Sequence, residues 1–170
     1  LDKKIDFIFL QSGVGSWAAS LVAYIQKYWE YQPLIYSVEP FSANCVFESI
    51  AFGERVSVND NGETIMAGLN CGTVSKIAWP ILKNGLAGAI SIKDTLVEEA
   101  MKMLAHPIDG DTPIISGESG ASALAAIIGL KKILNQNRDT DFSFSKNTNI
   151  LIINTEGDTD KKKYDSIIQS

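Results

Sequence analysis

Gly13 and Gly15 stand between an apolar run that ends at Leu10 and a stretch of helical apolar spacing that begins at Trp17. A strand that turns sharply into a helix presents unpaired backbone N–H groups and the positive end of a helix dipole, and two residues without Cβ let an oxyanion approach them. Gly13, Val14, Gly15 and Ser16 are therefore candidates for binding a phosphate. Taken alone, the pattern is equally that of a tight strand-to-helix turn with no ligand. It also approaches a dinucleotide fingerprint, because Ala18 takes the third glycine position, which is permitted, and Glu39 closes the second apolar strand, where an acidic residue would bind a ribose. Glu39 precedes Pro40, so an ordinary strand-end turn competes evenly with ribose binding.

Two more glycine-bearing turns, Ser116-Gly117-Glu118-Ser119-Gly120 and Asn154-Thr155-Glu156-Gly157-Asp158, are expected to leave strands at the apolar stretches 113–115 and 150–153. In a parallel sheet the ligand lies beyond the C-terminal ends of the strands, so the three turns are expected to converge there. Other chemistry-bearing side chains are sparse. His106, the only histidine, precedes Pro107 at the predicted end of a helix, where a dipole or capping role is expected. Cys45 and Cys71 are too few for a disulfide framework and are not spaced as C-x-x-C, which disfavours metal and fits a reducing compartment.

The elements that must position these turns read as alternating strands and helices. Residues 7–10 form a strand, and 17–28 a helix with Ala18, Leu21, Val22 and Ile25 on one face. Residues 34–38 form a second strand ended by Glu39-Pro40, and 43–51 a short helix stopped by Gly53. Polar residues run through Asn61-Gly62, the region after Thr64 is irregular, and Ser75 is a candidate cap for a helix reaching Asn84. Residues 88–92 are a third strand, and Asp94 opens a helix that buries Val97, Ala100, Met101 and Leu104. A small-residue helix spans 121–134, Phe142 and Phe144 anchor the polar segment after it, 150–153 is the last strand, and 161–168 a terminal helix. Asp158 and Asp160 are expected to cap that helix or face solvent. The alternation implies an α/β fold of three layers, α/β/α, with a mostly parallel twisted sheet and helices on both faces.

Bulk composition narrows the function classes. A chain of 170 residues, 45% hydrophobic and 21% charged, is ordinary for one globular domain. A net charge of -5 leaves no basic surplus for nucleic acid, and lysines cluster only at Lys161-Lys162-Lys163. No apolar run reaches the roughly 18–20 residues needed to cross a bilayer, and the N-terminus lacks a secretory pattern, so a cytoplasmic location is expected.

Four blocks, in order, resemble successive motifs of the pyridoxal-phosphate-dependent diaminopropionate ammonia-lyases, which share the tryptophan-synthase-like fold. They are Gln11-Ser12-Gly13-Val14-Gly15-Ser16, Thr64-Ile65-Met66-Ala67-Gly68-Leu69-Asn70-Cys71-Gly72, Ile114-Ile115-Ser116-Gly117-Glu118-Ser119-Gly120-Ala121 and Thr155-Glu156-Gly157-Asp158-Thr159-Asp160. The resemblance implies that Gly13, Val14, Gly15 and Ser16 hold the cofactor phosphate through backbone amides, with the Ser16 hydroxyl as a further donor. It implies that Thr155 faces the pyridine nitrogen. A neutral hydroxyl there would not hold that nitrogen protonated, leaving a weaker electron sink suited to elimination of a β-substituent. Met66, Ala67 and Gly68 would line the substrate side, and Glu118 would border the ring, its other reading being a carboxylate stabilised at a helix start.

The same resemblance implies that the whole enzyme converts 2,3-diaminopropionate to pyruvate and ammonia. In that family the lysine that anchors the cofactor as a Schiff base, the small domain and the acidic bases lie upstream of the phosphate turn. No lysine from Lys3 and Lys4 through Lys163 stands in a matching context. Residues 1–170 are thus expected to be the C-terminal large-domain part, incomplete relative to the full family fold. Alone, the chain would hold no catalytic residues, turn nothing over and bind pyridoxal phosphate weakly and without a covalent bond. Apolar faces left bare favour a homodimer or pairing with the N-terminal half. The chain departs from the family pattern at the bulky Trp17, at Thr73-Val74-Ser75-Lys76 in place of a proline-containing stretch, and at Asn154 where serine is usual. The alternatives are a related threonine or serine dehydratase and a non-catalytic phosphate- or dinucleotide-binding Rossmann-like module.

Overall fold

The alternating apolar segments pair as a four-stranded sheet in a computed structural model that describes residues 4–59, 64–108, 110–136 and 143–170. Lys3, the Asn61-Gly62 turn and the anchor expected at Phe142 lie outside those residues. The strands are β1 (Phe7–Gln11), β2 (Leu34–Pro40), β3 (Gly88–Ile92) and β4 (Ile150–Ile152), in spatial order β3-β2-β1-β4. Every pairing is parallel, with Phe7 opposite both Leu34 and Ile150, and Tyr36 opposite Gly88. Parallel neighbours cannot be joined by a tight turn, so helices occupy the crossovers. They are α1 (Ser16–Tyr28), α2 (Cys45–Phe52), α3 (Ala78–Gly85), α4 (Asp94–Ala105), α5 (Glu118–Gln136) and α6 (Lys161–Gln169), with a 3-10 turn at Ala67–Leu69.

Side chains alternate across the sheet, and the two faces nucleate two cores. Ile8, Leu10 and Ile35 pack with Ala18, Val22 and Ile25 of α1 and with Ala78 and Leu82 of α3. Phe9, Val38 and Ile92 face the other way, onto Val97, Ala100 and Met101 of α4, the alanines of α5, and Tyr164 and Ile167 of α6. Each large side chain removed from water contributes about 1.5–3 kcal/mol. Ala121, Ala123, Ala125 and Ala126 are fully buried, so α5 lies close over the sheet without bulky side chains to hold it off. The result is the expected three-layer α/β/α architecture. Among the described residues no helix is long and apolar enough to cross a membrane.

Three local features differ from the sequence expectation. β2 continues through Glu39-Pro40, with Pro40 opposite Ile92. The Val38 carbonyl accepts from Ser12 N–H, so Val38 and Pro40, two residues on, face the same side, and β1 has already turned away where Pro40 would need a donor. Residues 113–115 form no strand; Ile114 N–H instead bonds the Leu104 carbonyl at the end of α4, and Ile114 and Ile115 stay exposed. Ser75 does not cap α3: the helix starts at Ala78 without a side-chain cap, and the Ser75 amide is tied to the Val14 carbonyl at 2.9 Å.

Candidate functional site

The turn after β1 is locked by its carbonyls and open at its amides. Gly13 O accepts from the Cys45 thiol at 3.6 Å, Val14 O from Ser75 N–H at 2.9 Å, and Gly15 O from Ala19 N–H at 2.9 Å. Among the described residues, the amides of Gly13, Val14, Gly15 and Ser16 donate to no protein acceptor. Both glycines are required by what lies beneath. Gly15 has φ +82°, and a Cβ there would stand 2.5 Å from Leu82 Cδ1; a Cβ on Gly13 would stand 2.9 Å from Cys71 Sγ.

Three other helices close their own N-termini with acidic side chains. Glu39 closes α2, its oxygens accepting from Val46 and Phe47 N–H at 2.7 Å each. Glu156 closes α5, accepting from Ser119 N–H at 2.6 Å and Gly120 N–H at 3.3 Å, and Asp160 closes α6 through Lys163 N–H at 3.1 Å. The first turn of α1 holds no acidic residue and no side-chain cap. Its positive dipole end and free amides are left for an external anion.

Glu39 also decides the dinucleotide alternative. It is fully buried, so it serves as a cap of α2 and offers nothing to a ribose. Burial pushes its carboxyl up to about 8, outweighing the two backbone hydrogen bonds, which lower it. Burial first, then the neighbouring Glu39 and Cys71, pushes the Cys45 thiol up to about 12.

A cleft of about 880 Å³ opens at this edge of the sheet, a size suited to a small molecule. The structure brings Gly13, Val14, Gly15, Ser16, Gly68 and Thr155 to its wall. The third turn is drawn in by Asn154, whose side chain bonds Ser116 Oγ at 3.0 Å and the Ile115 carbonyl at 2.8 Å, and by Gly117 N–H on the Glu156 carbonyl at 3.1 Å. The three turns therefore meet, although only two of them leave a strand.

Met66, Ala67 and Glu118 are not among the residues on this wall. Met66 is fully buried with Phe9 and Val38 in the core, because Thr64 Oγ1 and Ile65 N–H are pinned to Asp94 at 2.7 and 3.0 Å and turn its side chain inward. Glu118 turns away to pair with Lys163 of α6 at 2.9 Å. Ala67 is exposed beside Gly68. Sequence reasoning missed Gln11, Trp17, Ser119 and Glu156, all of which line the cleft. The signal at Gln11 is a polar residue closing an apolar strand just before an anion-type turn. For Ser119 and Glu156 there is none locally, since their places follow from contacts between distant segments.

The cradle fits a phosphorylated pyridine cofactor: free amides at the α1 start suit a phosphate, and the Thr155 hydroxyl on the same wall suits a ring nitrogen. Comparison with known proteins agrees. Residues 1–146 match the family model described as pyridoxal-phosphate dependent enzyme. The diaminopropionate ammonia-lyase of Salmonella typhimurium (strain LT2) is 38% identical over 166 residues, covering 95% of this chain and 41% of that protein. The Escherichia coli K12 enzyme is 36% identical over 163 residues, with the same coverage. The chain thus spans about two fifths of the curated relatives it matches, in their C-terminal portion. A crystal structure of the Escherichia coli diaminopropionate ammonia lyase in complex with an aminoacrylate-PLP azomethine reaction intermediate superposes with TM-score 0.83 at 31% identity, covering 98% of this chain and 42% of that one. Threonine deaminase isoform 2 of Solanum lycopersicum shares the fold, with TM-score 0.80, 21% identity and coverage of 98% and 44%. An open anion cradle, a hydroxyl across the same cleft and a family match over most of the sequence lead to one assignment: the chain belongs to the pyridoxal-phosphate-dependent enzymes.

Proposed function

We propose that this chain is the cofactor-cradling part of a lyase of the diaminopropionate ammonia-lyase type, which eliminates ammonia from 2,3-diaminopropionate to give pyruvate. The observation that carries the reading is the start of α1, which is free of carboxylates and faces the same cleft as Thr155. The amides of Gly13, Val14, Gly15 and Ser16 bind the cofactor phosphate, and the Ser16 hydroxyl adds a donor. Thr155 donates to the ring nitrogen. When bound, pyridoxal phosphate supplies an electron-withdrawing system that stabilises negative charge at the α-carbon of an amino acid and lets a β-substituent leave. Gly68, beside the turn, leaves room on the substrate side. Identity of 36–38% to ammonia-lyases favours this substrate class over a sister threonine or serine dehydratase.

Among the described residues no lysine lines the cleft, so the segment by itself holds the cofactor without a covalent bond and turns over no substrate. A lysine and acidic bases from the rest of a longer enzyme complete the site. Exposed Phe41, Phe52 and Ile77 suit pairing with that part or with a second copy. Two free cysteines suit a reducing, cytoplasmic setting.

Titration with pyridoxal phosphate, followed by quenching of tryptophan fluorescence with Trp17 on the cleft wall, tests the reading. Saturable quenching that inorganic phosphate reverses is expected. Borohydride treatment followed by denaturation is expected to release all cofactor. Cofactor retained on the protein, or quenching indifferent to phosphate, overturns the assignment, as does saturable NAD binding that Glu39→Ala weakens.

A further inference from the structure

We infer that Gln11 is a positioning residue that sets the polarity of the Thr155 hydroxyl, so that this edge of the cleft donates a hydrogen bond and accepts only a ring nitrogen bearing a free lone pair. The inference rests on the cofactor reading above; what it adds is the residue that fixes which way the Thr155 hydrogen bond runs.

Gln11 is 4% exposed and closes the otherwise apolar strand β1. Its Nε2 donates to the Ile153 carbonyl at 2.9 Å and to Thr155 Oγ1 at 2.6 Å. The orientation of the amide follows from chemistry. A carbonyl only accepts, so the atom facing Ile153 O must be the NH2, and a flipped amide would set two oxygens against each other. One N–H of that NH2 is committed to Ile153, and the other is left for Thr155. The threonine hydroxyl thereby accepts from Gln11, and its own hydrogen points elsewhere.

Among the described residues that hydrogen meets no protein acceptor, and Thr155 lies on the cleft wall. A ring lone pair arriving there satisfies it. A protonated ring nitrogen leaves the hydroxyl hydrogen unpaired in a site from which the ligand has displaced water, a state that buried donors avoid. Gln11 Oε1 is also buried without a partner among the described residues. An apolar residue such as leucine or methionine would pack at this place without that penalty. The buried amide is accounted for by the direction it imposes on Thr155.

The test compares pyridoxal phosphate with its 1-deaza analogue, which keeps the shape and phosphate but has a C–H in place of the ring nitrogen. Affinities are read by fluorescence quenching of the full chain, and the protonation of the bound ring by the ¹⁵N shift of ring-labelled cofactor between pH 6 and 9. In the unaltered chain a preference of about tenfold for the nitrogen-bearing ligand is expected, with the shift of an unprotonated, hydrogen-bonded nitrogen throughout. Thr155→Val abolishes the preference. Gln11→Met reduces it severalfold in the presence of Thr155 and has no effect in the Thr155→Val background. Gln11→Glu replaces the donor by an acceptor, reverses the hydroxyl and raises the pH at which the bound ring nitrogen loses its proton. Should Gln11→Glu fail to fold, the Gln11→Met cycle decides. If Thr155→Val removes the preference while both Gln11 variants leave preference and ¹⁵N titration unchanged, the inference fails and the cofactor reading survives. If Thr155→Val leaves the preference intact, or phosphate does not compete, the cofactor reading itself fails.

Discussion

Glu39 makes the stability of this fold depend on pH in a direction opposite to that of an ordinary paired carboxylate. It is fully buried, with one oxygen on each of two backbone N–H groups and the Cys45 thiol beside it. Burial raises its pKa from 4.5 to about 8, the hydrogen bonds opposing. Between those values the folded chain holds a proton that the unfolded chain has lost. Unfolding stability then falls with rising pH, by about 1.4 kcal/mol per unit at most. The contribution is fully present below 4.5 and gone above about 8. Over the window the loss is on the order of 3–5 kcal/mol, which for a chain of this size moves the melting temperature by roughly 10 °C.

Glu39→Gln isolates the effect. The amide keeps the shape and cannot ionise, but its NH2 faces one of the two helix amides, which costs about 1–3 kcal/mol at every pH. Thermal or urea unfolding of both proteins at half-unit steps from pH 5 to pH 8.5 is the assay. The unaltered chain is expected to be the more stable at pH 5, and the gap is expected to close, or to invert, by pH 8. The Cys45 thiol, pushed up to about 12, stays protonated throughout and does not intrude. A gap that widens with pH would show that the two amides at the start of α2 outweigh burial and hold Glu39 ionised, and the reasoning would be refuted.

Other consequences follow from the same contacts. Gly15→Ala forces a side chain into φ +82° and against Leu82, so it should destabilise the chain by at least about 1–2 kcal/mol and weaken phosphate-competed cofactor binding more than tenfold, read by melting and by fluorescence. Glu156→Gln removes the charge from the start of α5 and should lower the melting temperature by about 2–8 °C at low salt and less at high salt, since roughly 1–2 kcal/mol of charge-dipole interaction is lost. Asp94→Ala frees Thr64 and Ile65, so the half-buried Cys71 should alkylate severalfold faster while the buried Cys45 remains unreactive, an outcome read by mass spectrometry.

Much of the scaffold is legible locally. The step from β1 through two glycines into α1 shows in the sequence because strand, turn and helix each use a different residue pattern, and α4 shows because Val97, Ala100 and Met101 repeat at helical spacing. Expectation and structure part where a residue answers to something distant. Pro40 reads as a strand end, yet it is tolerated in β2 because β1 has already turned away beside it. Residues 113–115 read as a strand, yet Ile114 N–H bonds the Leu104 carbonyl at the end of α4. Glu118 reads as a helix-start carboxylate near a ring, yet that start is held by Glu156, and Glu118 goes to Lys163.

The candidate site divides along the same line. Its anion cradle is made of backbone groups within four consecutive residues, and backbone groups announce themselves through the glycines they need. Its polarity is made of side chains that meet across long stretches of chain, with Gln11 and Thr155 separated by 144 positions and Ser116 and Asn154 by 38. A hydroxyl has no fixed direction of donation until a partner commits one of its lone pairs, so Thr155 alone sets no charge against the ring nitrogen and leaves open which way its hydrogen bond runs. That choice lies with the amide of Gln11, and through it with the Ile153 carbonyl, a backbone atom that any residue at that position would supply. Substituting Ile153 should therefore leave ligand preference unchanged so long as β4 still forms. Substituting Gln11 should not.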